Sequence, residues 1–259
     1  MDSRVRGNDG VAVSGYYYSV FAIAKMNFPM KISRISLLLA TVCVAGTVHA
    51  VTATPATAPD LDLAITYYSK TVTPDGVTRE SRYQETMLRR TGHVWNARVL
   101  PARAAQHEHS HESGHRHGLN HGAMPRHVSF EGGTPRLAFV DAKERAVIAI
   151  PATEFNNVDF DGSWERAFYL LEPRLLKTMT VTNRASPTQG ARWREREDNG
   201  VYQRVLWDEQ RQIPLAMESG DRAGTFYRRV DVIARAGVTA APWNKLQGYA
   251  QREYADFLD

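Results

Sequence analysis

Arg192 to Tyr227 reads R-W-R-E-R-E-D-N-G-V-Y-Q-R-V-L-W-D-E-Q-R-Q-I-P-L-A-M-E-S-G-D-R-A-G-T-F-Y. Asp198-Asn199-Gly200 separates two runs of β-forming residues, Ala191 to Glu197 and Val201 to Trp207. Asn-Gly readily takes positive φ, which a tight hairpin loop demands, so the two runs predict an antiparallel pair. Gln212-Ile213-Pro214 leads into a third strand, Leu215 to Glu218. Ser219-Gly220-Asp221 predicts a turn into a fourth, Thr225 to Ala234.

The same grammar holds upstream. Leu63, Ile65 and Tyr67 alternate with Ala64, Thr66 and Tyr68, the period of a strand. Thr73-Pro74-Asp75-Gly76 supplies turn chemistry, and Val77 to Arg90 continues as a second strand. Thr91-Gly92 turns again, and Trp95, Ala97 and Val99 share one face of a third. Further strands are predicted at Val128 to Phe130, Arg136 to Val140, Ala146 to Ile150 and Thr180 to Arg184, with Asp141-Ala142-Lys143-Glu144 as a turn. Ser163 fits a helix cap, because Trp164, Ala167, Phe168 and Leu171 then form one helical face. Pro173 should end or bend that helix. A second helix is expected over Trp243 to Asp259, where Trp243, Leu246, Ala250, Tyr254 and Phe257 fall near one stripe, although Gly248 weakens it. There is no internal repeat.

Roughly ten strands with one or two helices give a mainly antiparallel β (α+β) domain. A twisted sheet of that size curls, and a helix with one apolar face must cover an apolar sheet face. The expected architecture is therefore a curved, unclosed, barrel-like sheet with helices on its concave side.

The N-terminal part reads as an export signal. Lys31 and Arg34 are followed by an apolar run, Ile35 to Ala45, and by small residues at Val48 and Ala50. This is the pattern of a secretory signal peptide over 26–50, cleaved after Ala50. The run is shorter than the ~20 residues of a membrane span. Residues 1–25 fit no part of a leader and resemble translated intergenic repeat DNA, so the natural start is expected at Met26 or Met30. The single cysteine, Cys43, lies in the apolar run, and Val42 before it is a poor residue for a lipid-anchor signal. Cleavage would leave no cysteine, which excludes disulfides, thiolate metal sites and cysteine nucleophiles. The expected location is the periplasm.

Val51 to Asp60, rich in Thr, Ala and Pro, reads as a flexible lead-in, and 61–259 as a single β-rich domain. Five of the 32 basic and two of the 28 acidic residues precede Val51, so the remainder is nearly neutral. Nucleic acid is not an expected partner, because phosphate binding needs concentrated positive charge.

Residues 101–125 hold almost no large apolar side chain and read as an exposed loop. Within it stand His107, His109, His111, His115, His117 and His121, with Glu108 and Glu112 between them and His127 beyond. Neutral imidazole binds Zn2+, Ni2+ and Cu2+ well, and three or four such groups complete a tetrahedral zinc shell. The six histidines are the candidate metal ligands, loosely held, and divalent metal ions are the expected partner. The competing reading is a solvated insertion whose affinity is incidental.

Other constellations fall short. Asp159 and Asp161 resemble part of a calcium loop, but its twelfth position is Leu170 rather than glutamate. There is no G-x-S-x-G, phosphate loop or dinucleotide fingerprint. His93 begins a strand and reads as a surface or edge histidine rather than a base. No enzyme is expected. The five tryptophans read mostly as packing, a subset of them as the lining of an apolar cavity.

The Arg192–Tyr227 run is similar to the strand–turn–strand pattern of periplasmic lipoprotein-carrier-like proteins, the group of the LolA and LolB carriers and the lipoprotein-like domain of RseB. The carrying features are the polar turn after Glu197, the proline entering a strand at Ile213-Pro214-Leu215, and the glycine turn before the last strand. The leading meander, Ile65 to Val99, is compatible. The resemblance implies an unclosed antiparallel barrel with helices over its opening and a role in binding acyl chains. It implies no site residues, and the histidine loop and the segment from Trp243 depart from it. Two expectations stand side by side. One is a periplasmic binding protein that captures or buffers divalent metal through its histidine loop. The alternative is a carrier or sensor of lipidated or apolar ligands whose loop is incidental.

Overall fold

A computed structural model describes residues 58–100 and 121–257. The signal peptide expected over 26–50 and the histidines at 107, 109, 111, 115 and 117 lie outside the described residues. The described chain forms β1 (Leu61–Val72), β2 (Thr78–Arg90), β3 (His93–Arg98), β4 (Arg126–Glu131), β5 (Thr134–Asp141) and β6 (Ala146–Ile150). A 3-10 segment, Ala152–Val158, leads to two short helices, α1 (Trp164–Tyr169) and α2 (Pro173–Leu176). Then come β7 (Thr180–Val181), β8 (Ala191–Asp198), β9 (Val201–Asp208), β10 (Ile213–Asp221), β11 (Phe226–Ala234) and β12 (Ala250–Glu253).

All twelve strands join one open sheet, in the order β12-β6-β5-β4-β3-β2-β1-β11-β10-β9-β8-β7. Every pairing is antiparallel except β12 on β6. The edges carry only the four-residue β12, with Arg252 and Glu253, and the two-residue β7. Short, charged edges discourage further strand addition.

The sheet is curved, as the core shows. One hydrophobic cluster contains Ile148 of β6, Met87 of β2, Ile65 of β1 and Trp207 of β9, together with Phe155, Phe168 and Leu176 of the helical segment. Flat, the nine strands from β6 to β9 would extend about 38 Å at ~4.8 Å per strand. A thin helical layer reaches both ends only if the sheet curls around it. Arg89 measures the curl directly. It is fully buried on β2, yet donates to the backbone oxygens of Arg211 and Gln212 between β9 and β10, at 2.6 and 3.0 Å.

The local signals explain most elements. Asn199 and Gly200 take φ of 51° and 77°, as the Asn-Gly turn requires. Ser163 caps α1 by accepting from the Arg166 amide at 3.1 Å. Four of the predicted turns, helices and strands need correction. Ser219-Gly220-Asp221 is not a turn: β10 runs to Asp221, and the chain reverses over 222–225. The glycine serves close approach instead, since a Cβ at Gly220 would lie 2.6 Å from the Tyr202 hydroxyl. The helix from Trp164 stops at Tyr169, where Leu170 adopts φ 65°, and Pro173 starts α2 rather than ending α1. The strand predicted over Thr180 to Arg184 reduces to β7. The C-terminal helix is absent, replaced by a 3-10 turn at Pro242–Lys245, β12 and a second 3-10 turn at Tyr254–Phe257.

The described end of the lead-in is held in place: Ala58 joins the core, and the Pro59 carbonyl accepts from Arg89. Residues 121–125 are half-buried turns rather than exposed loop.

Candidate functional site

Strand parity decides which side chains face the concave interior. On β2, Met87 is core, so Tyr83, Glu85 and Arg89 share its side. Register carries this across the sheet: Tyr83 opposes Tyr67, Glu85 opposes Arg98, Met87 opposes Asn96, and Asn96 opposes Arg126. Polar groups therefore stand on the inner face beside the core. Above them the 3-10 segment and α1 leave a cavity of about 200 Å³.

Its apolar walls are Met124, Phe139, Val158, Phe160, Leu170 and Met217. Its polar floor and rim include Tyr67, Tyr83, Glu85, Arg98, Arg126, Asp159 and Arg166. Tyr67 stacks on Tyr83 at 4.6 Å, and Arg98 lies 4.1 Å over the Tyr83 ring. Burial, reinforced by the Glu85 carboxylate, pushes the Tyr67 phenol well above its ordinary value, so it stays a neutral donor. Arg166 is engaged by Asp161 and by Glu172, the latter at 3.0 Å. Burial raises the Asp159 carboxyl, against the opposing pull of His121 and Arg126. The Nε of Arg126 is buried and has no hydrogen-bond partner among the described residues. Such a donor costs about 1–3 kcal/mol until an acceptor reaches it.

Of the sequence-derived ligands, only His121 is described. It lines the cavity, its ring 5.8 Å from Phe139. None of the five tryptophans lines this cavity, contrary to one expectation. Trp207 is core, Trp164 stacks on Phe130, and Trp193 sits in a separate cluster with Leu206 and Ala216. Among the described residues, no group of three or more His, Cys, Asp or Glu is placed to hold a metal ion.

His93 and His127 meet on the opposite face. Their Nδ1 and Nε2 atoms lie 3.1 Å apart, and Trp243 stacks on both rings. The pair braces the Pro242–Lys245 turn against β3 and β4. Burial, then the neighbouring His93, lowers His127 from 6.5 to about 4. Between these values the unfolded chain binds more protons than the folded one, so acid favours unfolding. The stabilisation is full above about pH 6.5 and lost as pH falls towards about 4. Because the ring is partly solvated, its worth is discounted to on the order of 1–2 kcal/mol. We expect the melting temperature to fall across this window, and His127→Phe to flatten the slope while keeping the ring under Trp243. Parallel slopes would show that His127 does not titrate as described.

No family model matches the chain, and no curated protein is similar to it. Among solved structures, PNGF-II is similar at 8% identity and TM-score 0.34, over 76% of this chain and 33% of the other; the chain thus spans about a third of that protein's length. A domain from Vibrio parahaemolyticus, assigned to outer membrane lipoprotein sorting, is similar at 10% identity and TM-score 0.29, over 72% of this chain and 89% of that one. The Pseudomonas aeruginosa MucA/MucB complex is similar at 11% identity and TM-score 0.35, over 72% and 55%.

Proposed function

We propose that this chain is a non-enzymatic binding protein whose concave cavity takes an apolar or lipidated ligand. The observation that carries the reading is the cavity itself. It lies between the curled sheet and a thin helical layer, with apolar walls and polar groups on its floor and rim. Ligand sites have this composition, an apolar lining with a few placed polar groups. At about 200 Å³ the cavity is smaller than the ~300–1,000 Å³ of sites that enclose a whole drug-sized ligand, so it suits a medium-length acyl chain or the end of a longer one. Displacement of a fluorescent acyl probe by dodecanoate and by an acylated peptide tests it. Saturable displacement supports the reading; a probe that binds no better than to an unrelated protein overturns it.

The histidine tract supports a separate proposal, resting on the density of imidazoles between His107 and His121. The tract takes up Zn2+, Ni2+ or Cu2+ loosely, near pH 7.5, and releases it near pH 5 as protons compete, the free imidazole pKa being about 6.5. Calorimetric titration checks this. Single alanine substitutions should cost little, and replacing His107, His109, His111, His115, His117 and His121 together should abolish tight uptake. If one substitution alone removed all binding, a preorganised site would replace a buffering tract. Replacing the five that precede His121 should leave acyl-probe binding unchanged, which separates the two properties.

A further inference from the structure

We infer that the cavity selects an anionic acyl ligand, a fatty-acid carboxylate seated on Arg126 with its chain against Met124, Phe139, Leu170 and Met217. This rests on the acyl-binding reading and adds the head group to it.

Three guanidinium groups border the cavity, and two have protein partners. Arg166 pairs with Asp161 and Glu172. Arg98 lies over Tyr83 and opposes Glu85 across the β2–β3 pair. Arg126 differs. Its neighbours across the sheet are Asn96 on β3 and Phe139 on β5, which carry no charge. Its Nε is buried without a hydrogen-bond partner among the described residues. A cation whose donor is desolvated and unpaired favours an oxygen anion, because the hydrogen bond is then charge-assisted.

The remaining carboxylates of the cavity do not remove this preference. Glu85 opposes Arg98 across the β2–β3 pair, and Asp161 is bound by Arg166. Asp159 attracts Arg126 but makes no hydrogen bond to its Nε, and burial pushes the Asp159 carboxyl up. The apolar walls begin at Phe139, directly beside Arg126 on the neighbouring strand. Head and chain thus find their partners within one cavity.

The test compares dodecanoate with methyl dodecanoate and dodecanol, on the full chain, near neutral pH. Wild-type protein should bind the acid at least about tenfold more tightly than the ester or alcohol, the equivalent of one charge-assisted hydrogen bond. Arg126→Met keeps the length and removes the donors, so it should weaken the acid by at least about tenfold and leave the ester within about twofold. Arg126→Lys should lie between, a point charge lacking the guanidinium fork. Equal binding of acid and ester by the wild type overturns the head-group assignment and leaves the acyl-binding reading standing; this comparison needs no variant to fold. Unchanged acid affinity in a folded Arg126→Met protein overturns it as well. Binding of none of the three ligands overturns the acyl-binding reading itself.

Discussion

Replacing Arg89 with methionine is expected to destabilise the fold by about 3–5 kcal/mol, the largest single effect foreseen here, because buried carbonyls left without a donor cost about 1–3 kcal/mol each. Arg89 is fully buried on β2. Its Nε and Nη2 donate to the Pro59 carbonyl at 3.2 and 3.0 Å. Nη1 reaches the Gln212 carbonyl at 3.0 Å, and Nη2 the Arg211 carbonyl at 2.6 Å. The guanidinium also lies 5.0 Å over the Phe168 ring of α1. Burial draws its pKa down to about 10, so it remains charged at neutral pH, held by carbonyl dipoles. One side chain thereby ties the lead-in, the middle of the sheet, the β9–β10 turn and the helical layer together. Methionine fills similar volume but leaves three carbonyls without their donor. Urea unfolding measures the loss, and Arg89→Lys, which keeps charge without the fork, should fall between. A loss below about 1 kcal/mol would mean that core packing holds the curl without Arg89.

Ala167→Trp is expected to weaken acyl-ligand binding by at least about a hundredfold, because the indole takes the space that the chain would use. Ala167 lies on α1, half-buried, with its methyl on the cavity wall. The new ring grows into existing space rather than into packed core, so overpacking should cost at most about 1–3 kcal/mol. Equilibrium titration with the fluorescent acyl probe reads the affinity, and the urea midpoint reads the fold. Full affinity in a folded Ala167→Trp protein would place the ligand elsewhere.

The hairpins were legible because turn chemistry is local. Thr73 to Gly76 closes with the amide of Gly76 on the Thr73 carbonyl at 2.8 Å, and Asn199-Gly200 takes its positive φ pair. The turn placed at Ser219-Gly220-Asp221 failed because Gly220 answers to a neighbour across the strand pair, Tyr202, which no local window contains. The actual reversal is set by Asp221, whose carboxylate accepts from the Thr225 amide at 2.8 Å.

The C-terminal stripe misled for another reason. Trp243 packs on His93 and His127 at the outer face, while Tyr254 enters the inner core. One helix stripe cannot serve both faces, and the chain crosses an edge of the sheet between them as β12. The cavity was hidden because its members come from distant segments, Tyr67, Arg126 and Met217 among them. One signal was present. On the strand ending at Arg90, Tyr83, Glu85, Met87 and Arg89 share a parity, which places ionisable groups on the side of a core methionine.

The central claim is that the ligand occupies this cavity, and the methionine methyl groups report it directly. Met124 and Met217 line the cavity, whereas Met87 and Met179 lie in the core and do not line it. With methyl-labelled methionine, dodecanoate titrated into the protein should shift the Met124 and Met217 resonances saturably and leave those of Met87 and Met179 nearly in place. Saturable binding that moves Met179 or Met87 while Met124 and Met217 stay still would contradict the account.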